Sequence, residues 1–131
     1  MKVLALDYGS ARTGVAVSDP TGTVARPVGV VERAASEAGL ARLAELVRAE
    51  AAERIVVGLP LTLRGEHGEQ AVETARFVAA LRAAVDVPVE EFDERFTTTL
   101  AGQIPSRAPE DARAAAHLLT SYLTWRSSSP S

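Results

Sequence analysis

The chain opens with an apolar run that ends in an aspartate, and this pattern most constrains the fold. Met1–Leu6 is mostly apolar, Asp7 follows it, and a loop of small residues leads to a second run, Val15–Ser18. Gly9 and Gly14 bracket the loop, and glycine permits the tight turn that two adjacent strands require. The pattern predicts two strands joined by a turn, with a carboxylate at the open end of a sheet. Such a carboxylate could bind a metal ion, or it could simply cap the turn.

The length and composition favour one packed domain. The chain has 131 residues, of which 47% are hydrophobic, and a chain of this size can bury most of its apolar surface. We predict a single domain over residues 1–126 and a disordered serine-rich tail over residues 127–131. Cysteine is absent, which excludes disulfides, thiolate zinc sites and a cysteine nucleophile.

The hydropathy and charge of the chain limit its expected partners, a membrane and a nucleic acid in turn. No apolar run approaches the ~20 residues of a membrane span, and the first run lacks the features of a signal peptide. We therefore expect a soluble cytoplasmic protein that does not contact membranes. The net charge of −3 lowers the expectation of a nucleic-acid partner, because phosphate neutralisation supplies much of the affinity of such proteins. Arginines clustered around one groove would still allow it.

The remaining pattern predicts three strands followed by alternating helices and strands. The third strand is Val24–Val31, where Pro27 indicates a sheet edge, and Ser36 is the predicted N-cap of the first helix. The later elements are a buried strand at Arg54–Leu59, a helix over roughly Glu69–Ala84, a strand at Val87–Phe92 and a helix from near Pro109. The predicted apolar stripe of the second helix is Val72, Ala75, Val78, Ala79 and Leu81.

This order of elements predicts an α/β fold, a mixed five-stranded sheet flanked by helices. It is the ribonuclease H-like (RNase H-like) arrangement, and it also matches half of an actin-like ATPase. A fold alone does not fix a function.

Further acidic residues lie after the fifth strand and at the start of the last helix, and both places should be close to Asp7. Asp93 and Glu94 follow the fifth strand, and Asp111 lies in the first turn of the last helix. Ligands gather beyond the carboxyl ends of parallel strands, so these acids could converge. Together they would form a carboxylate cage for Mg²⁺ or Mn²⁺, with two ions ~3.5–4 Å apart. Each could instead be structural; the helix dipole alone would favour Asp111.

One point stays open within this cage. Side chains alternate along a strand, so Asp93 and Glu94 would point to opposite sides, and either could be the ligand. The histidines offer no competing mechanism, because His67 lies in a glycine-flanked loop and His117 shares a polar helix face. We expect both to be solvated.

Arginines near these acids are candidates for binding phosphate, because the planar guanidinium suits phosphate oxygens. Hydroxyl groups could add contacts to the same backbone. The candidate nucleic-acid-binding residues are Arg12, Arg64, Arg95, Ser10, Thr97 and Thr98. Aromatic residues are too few for a base-stacking platform, so we expect recognition by shape. Arg95 could also brace a neighbouring acid.

Four blocks of sequence resemble the YqgF family, also called RuvX. They run in the family's order along nearly the whole chain, and their combination is specific. The blocks are Leu6–Gly9 continuing to Arg12–Asp19, Val57–Leu61 with Gly65 and Gly68–Ala71, Phe92–Thr98, and Asp111–Leu123.

The resemblance implies an RNase H-like nuclease related to the RuvC Holliday junction resolvases. Its substrate would be a four-way DNA junction or the 5′ end of precursor 16S ribosomal RNA. Asp7, the Asp93-Glu94 pair and Asp111 match the family's acids. One departure is the short, base-poor segment Thr99–Glu110, where the family usually carries a longer basic stretch. A homodimer could compensate for the weaker grip.

Two other classes of protein stay open. The Asp-x-Gly turn also resembles the first phosphate loop of actin-like ATPases and sugar kinases, which predicts a nucleotide-binding half-domain. The third class is a catalytically idle RNase H-like scaffold. Clustered acids argue against it, because carboxylates repel one another unless a cation is present.

Overall fold

The computed structural model describes residues 1–59, 69–93 and 109–128. Eight elements follow one another in the predicted order of strands and helices. They are β1 (Val3–Asp7), β2 (Arg12–Ser18), β3 (Ala25–Glu32), α1 (Glu37–Glu50), β4 (Arg54–Leu59), α2 (Glu69–Ala84), β5 (Val89–Asp93) and α3 (Glu110–Ser128).

The five strands form one sheet in the order β3-β2-β1-β4-β5. β2 pairs antiparallel with both β1 and β3, whereas β4 pairs parallel with both β1 and β5. The predicted mixed five-stranded sheet is therefore confirmed, with β1 at its centre. β3 lies at an edge, as Pro27 indicated, because an edge strand tolerates a residue without a backbone N–H.

Strand alternation divides the core into two layers. Leu4 and Leu6 of β1 pack with residues of α1 and α2 on one face of the sheet. Val3 and Ala5 pack on the other face with residues of α3. Each apolar β1 side chain is fully buried, so the first strand is covered on both sides. A strand of this kind has a continuous apolar sequence.

Local signals in the sequence explain how two of the helices begin. Ser36 caps α1, because its hydroxyl oxygen accepts a hydrogen bond from the Gly39 N–H at 3.0 Å. α3 starts directly after Pro109, a residue suited to a first turn. Among the described residues, no helix is long and apolar enough to cross a membrane.

Several details of the predicted elements are wrong or shifted. The buried face of α2 is displaced by about one residue: Val72 is exposed, and so are Ala75 and Ala79. The reason is Phe77, whose large ring takes the centre of the buried face by stacking on Tyr8. The residues of α2 that are actually buried are Ala71, Thr74, Phe77, Val78 and Leu81.

The other shifts concern strand and helix ends. β2 begins at Arg12, three residues before the predicted run, and β3 spans Ala25–Glu32, one residue later at each end than expected. β5 starts at Val89, two residues later than expected. α3 runs to Ser128, so the helix includes the first two residues of the predicted tail. The rest of that tail lies outside the described residues, and the single-domain boundary stays a prediction.

Candidate active site

Asp7 is the last residue of β1, and the sheet register defines its surroundings. It pairs across the antiparallel ladder with Gly14 of β2. Residues two apart in a strand share a face, so Asp7 lies on the same face as Val3 and Ala5, the face that α3 covers. The side chain is half-buried. The predicted carboxylate at the end of the central strand is therefore present.

Gly14 brings α3 to this carboxylate. A Cβ atom built on Gly14 would lie 1.8 Å from the backbone oxygen of Asp111 and 3.0 Å from the Ala112 nitrogen. Only a residue without a side chain lets the first turn of α3 lie this close to β2. Because Gly14 is the partner of Asp7, the approach carries Asp111 to the same end and the same face of the sheet. Sequence reasoning used Gly14 only as a turn residue and missed this contact.

Arg12 is held at the same corner by an ion pair. Its Nε lies 3.4 Å from Oδ2 of Asp111, and its side chain is 66% exposed. An exposed pair of this kind contributes little to stability, so the guanidinium keeps most of its donors for another anion. Arg12 thus lies beside the end of α3, and Ser10 is exposed in the preceding loop.

The remaining candidates lie partly or wholly outside the described residues. Asp93 ends β5, paired with Leu59 of β4, and nothing is described of its side chain. Since Leu6 pairs with Val57 and Val57 with Glu91, position 93 lies two strands from β1 and one row beyond Asp7. The predicted site residues outside the described ranges are Glu94, Arg64, Arg95, Thr97 and Thr98.

The loop after Asp7 is braced from both sides by residues that sequence reasoning did not select. The fully buried Thr13 hydroxyl donates to the Gly9 carbonyl at 3.3 Å and accepts from the Gly9 N–H at 3.4 Å. On the other face, Tyr8 stacks on Phe77, with ring centroids 4.4 Å apart. The only available signal was a threonine between Arg12 and Gly14 in a run of otherwise apolar or small residues.

The Tyr8 hydroxyl connects the loop to α2 by a hydrogen bond. It donates to Oε1 of Glu73 on α2 at 3.2 Å. Burial raises the pKa of Tyr8, and the Glu73 carboxylate raises it further because it disfavours a second negative charge. Tyr8 is therefore a neutral donor that links the residue next to Asp7 to α2.

The donor chemistry of this corner fits a hard divalent cation. Carboxylate oxygens are the ligands that Mg²⁺ prefers, and Mg²⁺ keeps several waters, so a few carboxylates suffice. Asp7 and Asp111 supply two. No group of three metal-ligating side chains occurs within residues 1–59, 69–93 and 109–128, which leave out Glu94 and the side chain of Asp93.

His117 was expected to be solvated, and this was wrong. The residue is only partly exposed, and both ring nitrogens are buried without a hydrogen-bond partner in the described part of the chain. This burial lowers the pKa of the imidazole, because the charged form would lose its hydration. His117 therefore behaves as a neutral packing residue of α3. His67 lies outside the described residues.

Comparison with known proteins agrees with the family resemblance found in the sequence. The family model described as "RuvX: Holliday junction resolvase" matches residues 1–125. A relative from Chloroflexus aggregans, named "Putative pre-16S rRNA nuclease", is 43% identical over 133 residues, covering 95% of this chain and 94% of its own. A relative of the same name from Moorella thermoacetica is 39% identical over 132 residues, covering 94% of each chain.

Solved structures share the fold. Thermus thermophilus RuvC in complex with a Holliday junction substrate superposes with a TM-score of 0.69 at 21% identity, covering 97% of this chain and 96% of RuvC. A ROK hexokinase from Thermus thermophilus superposes with a TM-score of 0.51 at 26% identity, covering 79% of this chain but only 37% of the hexokinase. The RNase H-like fold is thus confirmed.

Proposed function

Since the chain belongs to the RuvX family, we propose that it is a divalent-metal-dependent endonuclease that cuts structured nucleic acid. A nuclease role is supported by the family match and by the names of the relatives. The observation that carries the metal dependence is the contact at Gly14, which sets the first turn of α3 against the strand pair that ends in Asp7. It supports two acids, Asp7 and Asp111, acting together.

The proposed ligands of Mg²⁺ or Mn²⁺ are Asp7, Asp111 and one acid after β5. Bound there, one or two ions would polarise the phosphodiester and lower the pKa of an attacking water. The protein's contribution is to hold the carboxylates at fixed positions and to neutralise the phosphate with Arg12.

Strand alternation favours Glu94 over Asp93 as the third ligand. Oε1 of Glu90 accepts from the hydroxyl of Tyr122 at 3.1 Å, and the ring of Phe92 packs edge-on to that of Tyr122, so both residues of β5 face α3. Residues two apart share a face in a strand. If this alternation continued one residue beyond β5, position 94 would share the face that carries Asp7. We therefore propose Glu94 as the ligand, with Asp93 as the alternative.

The proposed substrates are a four-way DNA junction and the 5′ end of precursor 16S ribosomal RNA. The structural likeness to RuvC bound to a junction supports the first, and the names of the relatives support the second. Phosphate contacts are proposed for Arg12, Arg64 and Arg95, with Ser10, Thr97 and Thr98 beside them. A homodimer and a cytoplasmic location complete the proposal.

Cleavage assays on both substrates test the function. Purified protein is incubated with a labelled junction or a precursor 16S fragment in Mg²⁺, Mn²⁺ or EDTA, alongside Asp7→Asn and the control Asp86→Asn. Asp86 is an exposed carboxylate that follows α2, before β5 begins and so at the opposite end of the strands. We expect cleavage that needs the metal and is lost only in Asp7→Asn. Cleavage in EDTA, or full activity of Asp7→Asn, would refute the proposal.

Metal binding gives a readout that does not depend on activity. Mn²⁺ should raise the melting temperature of the wild type and of Asp86→Asn, because a ligand of the folded state stabilises it. It should not raise that of Asp7→Asn or Glu94→Gln. A shift lost in Asp93→Asn but kept in Glu94→Gln would assign the third ligand to Asp93.

The rival function is nucleotide binding by half of an actin-like fold. The partial superposition on the hexokinase favours it, although those folds close two such domains around the nucleotide and this chain has room for one. Hydrolysis of ATP without nucleic acid would support it. A protein that neither cuts nucleic acid nor hydrolyses ATP would support the idle scaffold.

A further inference from the structure

A second arginine is fixed to the loop that follows Asp7, although it is distant in sequence. The backbone N–H of Arg33, directly after β3, donates to the carbonyl of Ala11 at 3.0 Å. The antiparallel register pairs its neighbour Glu32 with Arg12. Arg33 therefore lies at the same end of the sheet as Asp7 and Arg12.

The backbone of Arg33 is held in a conformation that disfavours an arginine. Its φ of 48° is in the left-handed region, where the Cβ of an ordinary residue is crowded by the backbone. Glycine or asparagine would be the natural choice there. The carbonyl accepts from both the N–H and the hydroxyl of Ser36, at 2.9 and 2.6 Å. These bonds explain how the conformation is maintained, but they do not explain why the side chain is an arginine.

The charge of Arg33 is available to a ligand. The side chain is exposed and makes no ion pair with a carboxylate of the described residues. A strained residue retained beside a binding site is a reason to look for a function of its side chain.

Arg113 is a further basic residue near the start of α3. It lies two residues after Asp111, in the first turns of the helix, and it is partly buried. Its Nε is buried and has no hydrogen-bond partner in the described part of the chain. That buried nitrogen is closed to an outside anion, but the residue is only partly buried, so a phosphate that approaches the helix start could meet the exposed part of its side chain.

We propose that Arg33 and Arg113 extend the phosphate contact of Arg12 into a wider surface, which we call the arginine corner. Its ligand is the sugar–phosphate backbone of a nucleic acid: Arg12 contacts the phosphate that is cut, and Arg33 and Arg113 engage phosphates beyond it. The acids are centred on β1 and α3, whereas Arg12 and Arg33 lie toward β3. The corner would therefore lead the bound strand from the carboxylates toward the β3 edge. This inference rests on the proposed function and specifies where its substrate lies.

The test measures binding without cleavage. Affinity for a labelled four-way junction and for a precursor 16S fragment is measured in EDTA across a NaCl series. The variants are Arg33→Gly, Arg33→Lys, Arg113→Ala and, as the control, Arg48→Ala. Arg48 is an exposed residue of the last turn of α1, at the opposite end of the sheet. Arg33→Gly removes the charge and relieves the positive φ, so its melting temperature should equal or exceed that of the wild type.

We expect Arg33→Gly and Arg113→Ala each to make the decrease of log affinity with log salt shallower by about 0.7–0.9, the change for one lost phosphate contact. Arg33→Lys should keep the wild-type slope, and so should Arg48→Ala. Wild-type slopes in both Arg33→Gly and Arg113→Ala would overturn the inference, and so would an equal loss in Arg48→Ala. If the wild type still cuts with Mn²⁺ in that case, only the arginine corner fails and the proposed function stands.

Discussion

Replacing Gly14 by alanine should separate α3 from β2 and so damage both stability and activity. The new Cβ would lie 1.8 Å from the Asp111 oxygen, whereas ordinary contact begins near 3.4 Å, so the start of α3 must retreat by about 1.6 Å. The contact is with backbone atoms, which cannot rotate away as the end of a side chain can.

This shift of α3 disturbs the well-packed layer of side chains between the helix and the sheet. Ala112, Ala115 and Leu119 are fully buried against the sheet, and overpacking of such a core costs about 1–3 kcal/mol. We expect the upper end, about 3 kcal/mol, which lowers the melting temperature of a domain of this size by about 10 °C. Since a misplacement of about 1 Å can cost 100-fold in rate, cleavage should fall about 100-fold even under conditions where the variant is folded.

Gly29→Ala is the matched control. Gly29 lies in β3, and no other atom lies within 4 Å of the position that a Cβ would take, so the added methyl group meets open space. Urea denaturation should place this variant within about 1 kcal/mol of the wild type, on the scale of ordinary glycine-to-alanine changes, and its cleavage rate should be unchanged. If Gly14→Ala matched Gly29→Ala in both stability and rate, the close approach of α3 would not be what holds Asp111 beside Asp7.

Three further changes test the surroundings of the site. Thr13→Val keeps the shape but leaves both polar groups of Gly9 unpaired, so urea denaturation should show a loss of about 1 kcal/mol and the cleavage rate should fall more than that of a distant variant of equal stability. Tyr8→Phe removes the hydrogen bond to Glu73. Burial raises the pKa of Tyr8, so the wild type should lose stability above pH ~10, the pKa of tyrosine in the unfolded chain. This loss should be steeper than in the variant. His117→Gln tests the buried imidazole, whose pKa is lowered in the folded protein. The unfolded chain binds the proton more tightly, so wild-type stability should decrease as the pH falls through ~6.5. If the urea midpoint of the variant fell equally with pH, His117 would not be the cause.

The sequence was sufficient where a local pattern determines the structure. Continuous apolar runs identified β1 as a strand and β4 as a buried strand. Pro27 indicated that β3 lies at an edge, and Ser36 was correctly predicted as the N-cap of α1. The face of α2 was assigned wrongly because its alanines and valines, which are spread around the helix, give no sharp periodicity. Which residues it buries depends on where Phe77 meets Tyr8, a contact between distant parts of the chain.

The candidate site was likewise predictable only where the sequence pattern is local. Asp7 could be predicted because a strand, a loop and two glycines define it locally. How near Asp111 comes to this end of the sheet depends on how closely a helix almost a hundred residues later approaches Gly14, and no spacing in the sequence encodes that distance. The left-handed backbone at Arg33 was equally hidden, because arginine gives no sign of a positive φ.

The position of α3 in the chain has a consequence for the order of events during synthesis. The N-terminal part of a chain folds first, so β1 and β2 emerge with Val3, Ala5 and Ala16 still uncovered by α3. That apolar face offers a surface to chaperones until the helix follows. The helix also carries Asp111, so the proposed activity would switch on only when the sheet is sealed. Until α3 has left the ribosome, the chain lacks one of its proposed metal ligands, so the proposed cleavage could not begin during synthesis.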